Sequence, residues 1–163
     1  MDSQSFTLLH VAISLGAILS GFVVMYGLLA AEKLSRWTAL FLISTVLTSV
    51  TGFFFHRTHI LPSHIVGIIS LVLLGAAGLA LYVFRFKGIW RAVYVVGAVA
   101  SLYLNVFVLI VQAFLKVPWL RNLAPTQTSE PAFVGVQGAA LLLFVTIGVL
   151  SLMRFRPTNG LVQ

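Results

Sequence analysis

Residues 92–114 read AVYVVGAVASLYLNVFVLIVQAF, 23 positions without one Asp, Glu, Lys or Arg. A helix needs about 20 residues to cross the hydrocarbon core of a bilayer, so this run names its solvent. Four more runs have the same character, at 8–30, 37–55, 65–84 and 133–153, and each holds 19 to 23 residues. Barrel strands are about half as long and alternate in polarity, so the runs predict helices. The expected fold is all-α: one polytopic membrane domain over residues 1–163, built as a bundle of five transmembrane helices.

Composition agrees. Hydrophobic residues make up 60% of the chain and charged residues 8%, against about a quarter charged in a soluble domain. The mean hydropathy is +1.09. A chain this short has too little interior to bury so much apolar surface away from water. There is no cysteine, which excludes disulfide exchange, thiolate metal sites and iron–sulfur clusters.

Charge sets the orientation. The connections at 31–36 and 85–91 and the tail at 154–163 lie on one side of the bundle. They carry Lys33, Arg36, Arg85, Lys87, Arg91, Arg154 and Arg156, whereas the other side carries Arg57, Lys116 and Arg121. The positive-inside rule then puts the N-terminus outside and the C-terminus in the cytoplasm. The net charge of +7 follows from this bias and from attraction to anionic lipid, and calls for no nucleic acid. Residues 1–31 read as a retained span, not a signal peptide. Their n-region carries Asp2 and no basic residue, and the apolar run exceeds an h-region.

The longest connection, 116–132, begins KVPWLR, which suits headgroup depth. It ends TSEPAF, which predicts a helix start with Ser129 as N-cap, Glu130 near the positive helix end and Pro131 in the first turn. Small residues mark close helix approach: Gly16, Ala17, Ser20 and Gly21 in the first run, and Gly75, Ala76, Ala77 and Gly78 in the third.

Polar residues inside a membrane must face protein or water. At about 100° per residue, Tyr94, Ser101, Asn105 and Gln112 fall within an arc of about 40°. Thr38, Thr45, Ser49, Gly52 and His56 share a face of the second run, His10, Ser14, Ala17 and Gly21 one of the first, and His64, Gly75, Gly78 and Tyr82 one of the third. Gln137 lies about one turn into the last run. Two roles are open to these groups. Ser and Thr bond their own helix carbonyls, and Asn and Gln hold bundles together at roughly 0.6–2 kcal/mol each. Asn105, Gln112 and Gln137 are equally candidates for a binding site.

All four histidines fall on the outer side. His10 starts the first run, His56 ends the second, His59 lies in the loop and His64 opens the third, behind the start signal Pro62-Ser63. Imidazole is a metal or haem ligand and a proton acceptor near neutral pH. Three cofactors fit: one b-type haem between His10 and His64 or His56, a quinone bonded by a histidine with Gln112 or Gln137, or a divalent metal. The alternative is that these are interfacial histidines with no ligand. No acidic residue lies in a run, which removes a carboxylate relay, and no catalytic triad or phosphate loop is present.

The stretches LYLNVFVLIVQAFLKVP (102–118), LAPTQTSEPAF (123–133) and LPSHIVGIISL (61–71) resemble segments of an uncharacterised family of small proteobacterial inner-membrane proteins. The resemblance implies a bacterial inner-membrane location and no chemistry. The function expected is a non-catalytic membrane protein with a small-ligand pocket at its outer side, lined by His10, His56, His64, Asn105, Gln112 and Gln137. Two other classes stay open, a redox protein holding haem or quinone and an accessory subunit of a larger membrane complex. The partners expected are the lipid bilayer and either another membrane protein or a second copy of the chain.

Overall fold

A computed structural model describes residues 3–55, 62–125 and 130–156. His56 and His59, like Ser129, lie outside the described residues. The rest is helical: α1 Ser3–Leu29, α2 Ser35–Phe53, α3 Pro62–Gly78, α4 Trp90–Lys116, α5 Pro118–Leu123 and α6 Pro131–Arg154. α3 continues into a wider π-helical turn, Leu79–Val83. No strand occurs among the described residues. α1, α3 with its π turn, α4 and α6 are long and apolar enough to cross a membrane. α2 spans 19 residues and carries Thr38, Ser44, Thr45 and Ser49 on its buried face.

α1, α4 and α6 outrun their apolar runs by three or four residues, because polar residues at the ends can continue the same hydrogen-bond ladder, whereas α2 keeps 19 residues shifted two positions toward the N-terminus. α6 starts at Pro131 with Glu130 as the N-cap residue, one position later than the sequence suggests, and Glu130 makes no side-chain cap bond. α5 occupies the segment read as interfacial, with Pro118 at its first turn and Trp119 exposed.

α2 packs against α1 and α3, while α4 packs against α1, α3 and α6, and α6 closes onto α1. The bundle is thin. Within the four spanning windows only 17% to 39% of residues are buried. Large apolar side chains cover the outside, among them Ile89 at 74%, Leu142 at 70% and Val72 at 67% exposure. Apolar all round, yet buried on a minority of their surface, these helices have the length and composition that could cross a membrane.

Close approach uses only part of the small-residue set. A Cβ on Gly97 would stand 2.9 Å from the Leu73 carbonyl and 3.1 Å from the Ala77 Cβ, so α3 and α4 touch there. A Cβ on Gly21 would meet Leu102 and Phe41. Gly16, Gly75 and Gly78 have open space beside them, and Tyr82 is exposed. The third-helix face drawn through Gly75, Gly78 and Tyr82 therefore points outward. Ser70, Leu74, Ala77 and Leu81 are the buried side. Small residues set distance without setting direction.

The basic end of the bundle is closed by aromatic side chains. Phe86 meets Tyr94 edge-on at 4.9 Å and Phe155 at 5.6 Å, and Tyr94 lies 5.8 Å from Phe155. The Lys33 ammonium sits 5.5 Å over the Phe86 ring. Arg91 donates from Nη1 to the carbonyls of Leu152 at 2.8 Å and Phe155 at 2.7 Å. It thereby pairs acceptors at the C-terminus of α6 that have no partner within the helix.

Candidate functional site

At the opposite end, α1 brings His10 onto α2. His10 Nδ1 lies 2.7 Å from Thr51 Oγ1, and the Thr51 hydroxyl donates to the Leu47 carbonyl at 2.6 Å. A threonine hydroxyl has one proton. With that proton on Leu47, Thr51 Oγ1 can only accept from Nδ1–H of His10, the tautomer in which Nε2 keeps its lone pair. Phe55 stands edge-on to the ring at 5.1 Å and packs on Phe6, also at 5.1 Å. The imidazole is half-buried and held on two sides, with its acceptor nitrogen unpaired among the described residues. A second partner that sets the tautomer is how proteins prepare an imidazole to ligate.

His64 is placed differently. Its ring stacks on Phe53 with centroids 5.7 Å apart and planes 9° from parallel, and Phe53 also covers Gly67 of α3. Phe53 projects about 160° around α2 from Thr51. The rings of His10 and His64 thus meet different faces of α2. The expectation that His56 joins them falls outside the described residues. Among the described residues no group of three His, Asp or Glu side chains converges as a metal site.

The α4 stripe is correct for three of its four members. Tyr94 and Ser101 are buried, and Tyr94 shares a 3.3 Å hydrogen bond with Thr38. Asn105 donates from Nδ2 to Thr45 Oγ1 at 3.3 Å. Gln112, expected to face the interior, is exposed and has no hydrogen-bond partner among the described residues. At its level α4 packs through the opposite side, where Phe114 meets Phe133 edge-on at 5.4 Å and Ala124 fills in beneath α5. The helix keeps its period, but its neighbours have changed sides.

Gln137 is buried and donates from Nε2 to the Phe107 carbonyl at 3.2 Å, pinning α6 to α4. Among the described residues its Oε1 has no partner, and neither do the buried hydroxyls of Ser101, Ser151 and Thr48. Most other hydroxyls bond back to their own helix: Ser14 to His10, Ser20 to Gly16, Ser44 to Leu40 and Thr146 to Leu142.

Two apolar grooves face outward, away from these groups. One of about 330 Å³ lies between α3 and α4 toward the basic end. One of about 270 Å³ lies between α4 and α6, over Tyr103 and Phe144.

Sequence reasoning missed Thr51 as the partner of His10 and missed the Phe86–Tyr94–Phe155 closure. The second left a signal. Arg85-Phe86-Lys87 and Arg154-Phe155-Arg156 each set one aromatic between two cations, a pattern that turns the ring inward and the charges out. Comparison with family models, with curated proteins and with solved structures finds no match.

Proposed function

We propose that this chain is a non-catalytic protein of the bacterial inner membrane. It crosses five times, with the N-terminus outside and the C-terminus cytoplasmic, and it holds a small ligand at its outer end through His10. The His10–Thr51–Leu47 relay carries this reading, because it presents an imidazole lone pair at a half-buried position. The inner-membrane location draws on the resemblance of 61–71, 102–118 and 123–133 to the proteobacterial family. The fifth crossing is α2. Its 19 residues extend about 28 Å, and its bonds to Tyr94 and Asn105 keep Thr38 and Thr45 out of lipid. The basic residues at the opposite end support the orientation.

The second reading is a redox protein. A lone pair at Nε2 accepts a quinol hydroxyl or ligates iron equally well, and the ligand class separates the two. Protein isolated in native lipid should carry a small molecule that His10→Ala loses and Thr51→Val loosens. A Soret band identifies haem, and a quinone in the organic extract identifies quinol. A ligand retained undiminished by His10→Ala, or none found in the wild type, refutes the outer site. For topology, cysteines at Ser5 and Asn122 should react with an impermeant thiol reagent in intact cells while one at Ser35 stays protected. Labelling at Ser35 overturns the orientation.

A further inference from the structure

We propose that the groove between α3 and α4 is a binding site for an anionic glycerophospholipid, with one acyl chain in the groove and the phosphate at Arg85 and Lys87. This inference rests on the membrane-spanning reading above.

The groove holds about 330 Å³ and is lined by Leu73, Ala76, Ile89, Ala92, Val93 and Val96, with Gly97 at its floor. Every one of these is apolar, so the occupant is a hydrocarbon. The groove exists because α3 and α4 touch at Gly97 and Ala77, while the small side chains of Ala76 and Ala92 leave the neighbouring surface hollow. It runs from mid-bundle to Ile89, which adjoins the connection 85–88.

That connection is built to turn cations outward. Arg85, Phe86 and Gly88 all have positive φ, at 47°, 62° and 55°. This backbone is unfavourable for Arg and Phe. Phe86 is nevertheless anchored inward against Tyr94 and Phe155, and Lys87 N–H closes the turn on the Phe84 carbonyl at 2.9 Å. With Phe86 pointing in, its neighbours Arg85 and Lys87 are both exposed.

Among the described residues neither cation has an acidic partner. No ion pair ties Arg85 or Lys87 to a described carboxylate, and the next cation, Arg91, is committed to the C-terminus of α6. Phe84 and Trp90 stack at 3.7 Å beside the same mouth, and Trp is enriched at headgroup depth. Two uncompensated cations at headgroup level over an apolar groove match a negatively charged lipid, and basic sites between spanning helices bind such headgroups. Zwitterionic lipid fills the groove equally well but does not neutralise the loop.

The test uses full-length protein in nanodiscs of equal dioleoyl phosphatidylglycerol and phosphatidylcholine, with the retained lipid read by native mass spectrometry. Stable incorporation into pure phosphatidylcholine discs reports separately on the spanning reading. The wild type should retain phosphatidylglycerol preferentially. Removing one charge should weaken that preference about fivefold, and Arg85→Gln with Lys87→Gln about thirtyfold. Exchanging the cations, Arg85→Lys with Lys87→Arg, should leave it intact. Ala76→Phe fills the groove without touching the loop and should abolish it, with helicity and disc incorporation unchanged. Equal retention of the two lipids by the wild type overturns the proposal. So does a preference that survives the double neutralisation, or one that survives Ala76→Phe, which would leave loop charge alone as its source.

Discussion

Arg91→Met removes the two bonds that fasten the end of α6 while keeping most of the side-chain length. Arg91 Nη1 donates to Leu152 O at 2.8 Å and to Phe155 O at 2.7 Å. A hydrogen bond from a charged donor contributes about 1.5–3 kcal/mol net. One nitrogen serves both acceptors, so the pair counts for more than one such bond and less than two, about 2–4 kcal/mol. α6 feels the loss sharply, because only 17% of its spanning window is buried and few other contacts hold it. Reversible unfolding in mixed micelles titrated with SDS, followed by circular dichroism, measures the change. Arg91→Lys keeps the positive charge favoured at a helix C-terminus but offers a compact ammonium without a planar fork, and should recover about half. Hydrogen exchange should quicken first at the Phe155 amide, which bonds Ser151 at 2.8 Å. A shift for Arg91→Met below about 0.5 kcal/mol, the range of neutral surface changes, would show that water satisfies those carbonyls and that the clamp is not structural.

Asn105→Leu should cost roughly 0.6–2 kcal/mol in the same titration, and adding Thr45→Val should cost little more, because the two share one bond. Additive losses would mean that the bond contributes nothing. Gly97→Ala should destabilise by about 1–3 kcal/mol, the range for overpacking, since a backbone carbonyl stands 2.9 Å from the new Cβ. Gly75→Ala, with open space beside it, should be neutral or gain up to about 1 kcal/mol of helix propensity. Reversal of that order would place the α3–α4 contact elsewhere.

The long helices were legible because two coarse properties, length and hydropathy, suffice to read a continuous apolar run of about 20 residues as a helix. α5 was not, since six residues are less than two turns and carry no period. The stripe through Tyr94, Ser101 and Asn105 was readable because the few polar groups of an otherwise apolar helix fall on one face at the helical period. Gln112 broke the rule near the helix end, where α4 packs through Phe114 instead. Gly75 and Gly78 misled because a missing side chain allows an approach without requiring one. The partner of His10 hid in plain view. Thr51 is one hydroxyl among several on α2, and only the depth match between antiparallel helices picks it out.

The aromatic closure at the basic end joins segments that are far apart in sequence. Phe86 comes from the connection after the π-helical turn, Tyr94 from α4 and Phe155 from the residue after α6, and the three rings meet with the Lys33 ammonium over Phe86. A substitution that empties one ring position removes a neighbour from the other two, so helix ends that look independent in the sequence should fray together.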